Sequence, residues 1–141
     1  MKRDAVLVLG AFDALHWGHL VFLSEAARYG DVTVGVSSDE LILQTKGSKP
    51  LFGLSERMAA LERCGYRTNV RSSGDATELF RLLQPDFFVC GNDWLQPYVG
   101  HLESAGLTVS FLNEMGTRVV YVPRDHEMST SSIVQRARHG R

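Results

Sequence analysis

Cysteine is scarce in this chain. Cys64 and Cys90 are its two cysteines, well apart in 141 residues, so there is no CxxC, no zinc-type spacing and no disulfide framework. Both sit in apolar or helical context and read as reduced thiols, the usage expected of a cytoplasmic protein. Charge of one sign is lacking as well. The formal net charge of −1 gives no overall field that would favour nucleic acid or an anionic membrane, so neither is an expected partner. Long apolar runs are missing: none approaches the ~18 residues of a membrane span. The apolar segment Ala5 to Leu9 is too short for the core of a signal peptide, and no small-residue cleavage site follows it. Internal repeats, low-complexity tracts and linkers are absent too, and the length fits one domain over residues 1–141.

What remains is an alternation of strand-like and helical patterns, the sign of βαβ units around a parallel sheet. Strands are expected at Ala5 to Leu9, Val32 to Val36, Asn69 to Arg71, Phe87 to Cys90 and Arg118 to Val122. Helices are expected from about Gly18 to Tyr29, from Leu41 to Gln44, from Ser55 to Arg63 and from Ala76 to Leu83. Tyr98 to Ala105 and Ser131 to Arg138 also read as helical, while Leu107 to Leu112 fits either strand or helix. The expected architecture is α/β and Rossmann-like, with about five parallel strands and flanking helices.

The chemistry concentrates in Gly10-Ala11-Phe12-Asp13-Ala14-Leu15-His16-Trp17-Gly18-His19, directly after the first strand. A strand that empties through a glycine turn into a helix start gathers backbone N–H groups and a positive helix end at one point. His16 and His19 stand about one helical turn apart there, and Gly18 lets a ligand approach the backbone closely. This arrangement suits a polyphosphate with charge developing on one phosphorus. A zinc site is the competing use of two imidazoles, but no third ligand offers itself nearby.

That segment resembles the GTFDxxHxGH signature of the cytidylyltransferase-like nucleotidyltransferases. Three further stretches resemble the family in the same order along the chain. Lys46-Gly47-Ser48-Lys49-Pro50, followed by Ser55-Glu56-Arg57, is similar to its mobile lysine segment and the helix after it. Val89-Cys90-Gly91-Asn92-Asp93-Trp94 is similar to its V-x-G-D-D-W strand end, and Pro123 to Ile133 resembles PRTxxISTTxI. The resemblance is nearest to the glycerol-3-phosphate cytidylyltransferases.

The resemblance implies transfer of a nucleotidyl group from a nucleoside triphosphate to a small phosphorylated acceptor, with release of pyrophosphate and with magnesium as cofactor. CMP transfer from CTP to a phosphate or phosphonate monoester is the leading expectation. Adenylyl transfer from ATP to a sugar phosphate is the alternative, and a non-catalytic nucleotide sensor is the alternative of another class. His16, His19 and Lys46 are the expected catalytic residues. Gly10, Ala11, Phe12, Gly18, Arg124, Ser129, Thr130 and Ser131 are expected at the nucleotide. Asp13, Lys49, Arg57, Asp93 and Trp94 are expected at the substrate, with Lys46 in a flexible loop and Arg57 facing the phosphates. A homodimer is implied as well.

Three departures from the family pattern stand out. Ala11 replaces the usual Thr, Asn92 replaces the first Asp of GDDW, and Arg63 to Val70 departs from RYVDEVI, which lies near the base in the family. The last of these weakens any inference about the nucleobase.

Overall fold

The computed structural model describes residues 3–91 and 100–123. In chain order it runs β1 (Ala5–Gly10), α1 (Trp17–Ala26), β2 (Asp31–Ser37), α2 (Asp39–Lys46), α3 (Leu54–Arg63) and β3 (Arg67–Arg71). It continues α4 (Thr77–Leu83), β4 (Phe87–Gly91), α5 (Gly100–Ser104), α6 (Val109–Met115) and β5 (Arg118–Val122). The strands form one parallel sheet of order β3-β2-β1-β4-β5, a Rossmann-like α/β arrangement.

Side-chain alternation along the strands divides the core between the two faces of the sheet. Val6 and Val8 of β1 join Val32, Val34 and Val36 of β2 on one face, where Leu23 and Ala26 of α1 and Leu61 of α3 cover them. Leu7 and Leu9 point the other way, against Leu79 and Phe80 of α4 and Phe111 and Leu112 of α6. Both faces of β1 are therefore buried, which is why it reads as a continuous apolar run. Burial of this kind contributes about 25 cal/mol per Å² of apolar surface and is the main force holding the helices to the sheet.

Local chemistry sets the element ends. Ser38 caps α2 by accepting from the Leu41 amide at 3.1 Å, and Gly47 ends it at φ 77°. The open segment 107–112 resolves as the start of a helix: Thr108 Oγ1 caps α6 through the Phe111 amide at 3.1 Å, and Gly116 closes it at φ 70°.

Two consequences matter for function. β1 is central, and the order reverses on either side of it, so the carboxyl ends of β1 and β4 flank a topological switch point. Crevices at such points are where open parallel sheets hold ligands. Second, parallel pairing of β4 with β5 brings Gly91 beside Val122, so the chain leaves both strands on that same edge.

Candidate active site

The loop that leaves β1 is unusual in its backbone. Phe12 and Ala14 both take φ 50°, a left-handed conformation that residues with a Cβ seldom adopt. Strain of this kind persists only where surrounding contacts over-determine it. Gly10 makes room for the turn: a Cβ there would lie 2.8 Å from Cε2 of Phe12. The Phe12 ring is buried and approaches His19, with centroids 5.2 Å apart.

His16 is the N-cap of α1, and its Nδ1 accepts from the Gly18 amide at 3.0 Å. His19 answers it. Its Nδ1 accepts from the His16 amide at 3.2 Å, which makes a capping box from two imidazoles. The rings stack, with centroids 3.8 Å apart and planes 26° from parallel. An imidazole nitrogen that accepts from an amide carries no proton, so in both rings the proton resides on Nε2. The fold thereby selects one tautomer of each histidine and makes both Nε2 atoms donors. The first turn of α1 holds no acidic side chain to offset its positive end.

Asp13 was expected at the substrate. The structure gives its carboxylate a different occupation: Oδ2 accepts from the Leu51 amide at 2.6 Å and Oδ1 from the Phe52 amide at 3.0 Å. Arg57 was expected to face the phosphates; in the structure its side chain is buried, with 2% of the residue exposed, and its donors are engaged within the fold. Nε donates to Phe52 O at 2.8 Å, and Nη1 donates to Ala11 O at 2.9 Å and Ser37 O at 2.7 Å. Nη2 donates to Asp39 Oδ1 at 2.6 Å. A guanidinium engaged by three carbonyls and a carboxylate is a structural cation.

Lys46 also differs from its expected place. It is the last residue of α2, with Gly47 as C-cap, while Lys49 follows in the turn toward Pro50. Both lysines are exposed. Lys46 starts from an anchored helix end, because Leu41 and Ile42 of α2 are buried in the core. Ala11 and Gly18 lie half-buried at the loop and first turn, beside the histidines. Asp93, Trp94, Arg124, Ser129, Thr130 and Ser131 lie outside the described residues. Pro123, one residue before that last group, follows the carboxyl end of β5.

The same loop and α3 bound an apolar cleft of about 540 Å³, lined by Phe12, Ala14, Leu15, Phe52, Glu56, Arg57 and Ala60. Neither histidine lines it. Among the described residues no cluster of three or more His, Cys, Asp or Glu side chains is arranged to hold a metal ion. No helix among them is long and apolar enough to cross a membrane.

Residues 7–136 match the cytidylyltransferase-like family. The chain belongs to that family.

Its relatives within the cytidylyltransferase-like family differ in what their names say they make. One is the D-beta-D-heptose 1-phosphate adenylyltransferase of Bordetella bronchiseptica, 34% identical over 99% of this chain and 85% of that protein. Another is the glycerol-3-phosphate cytidylyltransferase of Bacillus subtilis, 32% identical over 94% of this chain and 95% of that protein. A third is the FAD synthase of Pyrococcus abyssi, 32% identical over 96% and 93%. The chain spans only 28% of the bifunctional protein HldE of Desulfatibacillum aliphaticivorans, to which it is 32% identical. Among solved structures, a lipopolysaccharide core biosynthesis protein from Thermoplasma volcanium shares the fold, with a TM-score of 0.67 at 23% identity, covering 89% of this chain and 98% of that one. The relatives named here all fall in one nucleotidyltransferase family, the one whose model this chain matches.

No motif marks the amides of Leu51 and Phe52, which anchor Asp13, or the carbonyls that hold Arg57. A signal did exist for the cap. Histidines at positions i and i+3, directly before an apolar helical pattern, have the spacing of a capping box.

Proposed function

We propose that this protein transfers CMP from CTP to a small phosphate or phosphonate monoester and releases pyrophosphate. The observation that carries the transfer chemistry is the reciprocal histidine cap, which makes both Nε2 atoms donors at the positive end of α1. An oxygen of the acceptor phosphate attacks the α-phosphorus, and the bond to the bridging oxygen of pyrophosphate breaks, taking its electron pair with it. Negative charge grows on the non-bridging α-oxygens, where His16 and His19 donate. The attacking phosphate is already ionised near neutral pH, so no general base is required.

Lys46 and Lys49 neutralise the departing pyrophosphate, with Lys46 as the principal group. Arg124, Ser129, Thr130 and Ser131 hold the β- and γ-phosphates in this reading, and Asp93 and Trp94 meet the acceptor. Gly10, Ala11, Phe12 and Gly18 shape the nucleotide's approach to the backbone. Magnesium is the cofactor in this reading and would neutralise charge on the triphosphate. The protein works as a homodimer in the same reading.

The choice of CTP is supported by Asp93-Trp94 and the Pro123 to Ile133 stretch, and by the cytidylyltransferase relative that matches over nearly its whole length. A second reading, adenylyl transfer from ATP to a sugar phosphate, draws support from the adenylyltransferase relative at 34% identity. Pyrophosphate release separates them, measured with magnesium and either CTP or ATP across a panel of phosphate monoesters. Turnover with CTP is the expected result. Turnover with ATP alone would replace the first reading by the second, and tight binding without turnover would mark a sensor.

A further inference from the structure

We propose that Asp13 and Arg57, with Asp39, form a brace that positions the histidine loop and the lysine-bearing segment relative to each other. The proposal rests on the nucleotidyl-transfer reading for its catalytic consequence, but not for its geometry. Phe52 is gripped twice: its amide donates to Asp13 Oδ1, and its carbonyl accepts from Arg57 Nε. The adjoining Leu51 amide donates to Asp13 Oδ2. These bonds fasten the segment that follows Lys46 and Lys49 to the loop that precedes His16. Arg57 reaches the loop directly as well, through Ala11 O, and ties it to the end of β2 through Ser37 O. Asp39 holds the far side of the guanidinium from the first turn of α2, the helix that ends in Lys46.

The loop so held is the strained one. Left-handed Phe12 and Ala14 flank Asp13 on either side, and Ala14 precedes His16 by two residues. Without the bonds to Asp13 and Ala11 O, the loop has every reason to relax toward ordinary φ values. The histidine cap would move with it. Reaction geometry is sensitive on this scale, since a misplacement of about 1 Å can cost about 10²-fold in rate. Asp13 and Arg57 are therefore positioning residues: the carboxylate and guanidinium act on other parts of the chain, and those parts act on the phosphates.

The test uses Asp13→Asn, which preserves volume but turns one acceptor into a donor facing an amide. Asp39→Ala is the second variant, at a side chain that is 44% exposed. Each is combined with Lys46→Ala. Asp13→Asn is expected to lower kcat at least about tenfold with a smaller change in nucleotide KM. The loss caused by Lys46→Ala should shrink in its background, because a misplaced lysine has less to lose. Independently of activity, the imidazole ¹⁵N signals of His16 and His19 should move, and exchange of the Gly18 amide should accelerate. Unchanged imidazole spectra and amide exchange, or an identical Lys46→Ala loss in both backgrounds, would overturn the brace. If Asp13→Asn does not fold, Asp39→Ala decides by the same criteria. Absence of turnover in the wild type would remove the nucleotidyl-transfer reading alone, and the spectra and exchange would still judge the brace.

Discussion

His16 caps a helix in this structure and has a second job in the proposed reaction, and one substitution can separate the two. Its Nδ1 caps α1, and its Nε2 is assigned to the α-phosphate. His16→Ser keeps a good capping acceptor for the first-turn amides but cannot reach a phosphate oxygen. His16→Ala removes both functions. Loss of one charge-stabilising donor should lower kcat about 10²–10³-fold, or roughly 2.7–4 kcal/mol, in both variants. Loss of the cap costs about 1 kcal/mol in the alanine variant only, which in a chain of this size lowers the melting midpoint by about 3–5 °C. The paired assays are initial rates of pyrophosphate release under saturating nucleotide and thermal melting without ligand. The expected pattern is two equally slow enzymes, with the serine variant melting like the wild type. A serine variant that turns over within about threefold of wild type would refute the donor role. Equal melting losses in both variants would refute the capping account.

Lys46→Ala should impair turnover by about tenfold or more while leaving the melting midpoint within about 1 °C, because the side chain is exposed at a helix end; a large melting loss would contradict this placement. Gly35→Ala should destabilise by about 1–3 kcal/mol, since a Cβ there would lie 2.6 Å from Leu9 Cδ2 and 2.9 Å from Leu79 Cδ2, and urea unfolding measures it. Asp75 accepts from the amide and hydroxyl of Thr77, which hold its carboxyl below the usual carboxylate range. A lowered pKa contributes stability above the unfolded value near about pH 4 and loses it as pH falls through the folded one. Asp75→Asn should therefore flatten the acid side of the melting-versus-pH curve, and an unaltered curve would refute the linkage.

The parts of this molecule that were legible in its sequence are those written in side-chain identity. Alternating Val6, Leu7, Val8 and Leu9 announced a buried parallel strand, and the structure sends them to opposite faces of the sheet. His16, Gly18 and His19 announced a helix start bearing two imidazoles for the same reason: imidazole chemistry is visible in the letters. What stayed hidden depends on backbone acceptors and donors, which every residue carries alike. Ala11 O and Ser37 O lie 46 and 20 residues from Arg57, and nothing in their letters marks them as its partners. An arginine beside a lysine segment therefore read as a phosphate ligand, although three carbonyls and Asp39 had already engaged it. Lys46 shows the same limit at shorter range. Lys46 to Pro50 reads as a flexible segment that contains the lysine, yet Gly47 at φ 77° terminates α2 just after it.

That difference bears on mechanism. A lysine on a free loop must be ordered by its ligand at the cost of chain entropy, about 1–2 kcal/mol per residue fixed. A lysine at the end of a helix whose first turn is buried, through Leu41 and Ile42, has an ordered backbone from the start. The tethers of Asp13 to Leu51 and Phe52 then limit how far the chain beyond Lys49 can carry the segment away. The histidine pair follows the same principle, since its tautomers are fixed by amides of its own helix start before any phosphate arrives. In the proposed nucleotidyl transfer, the histidine donors would be preorganised and the lysine's backbone already ordered, which is where electrostatic catalysis gains most over water: such dipoles need not reorient as charge moves onto the pyrophosphate.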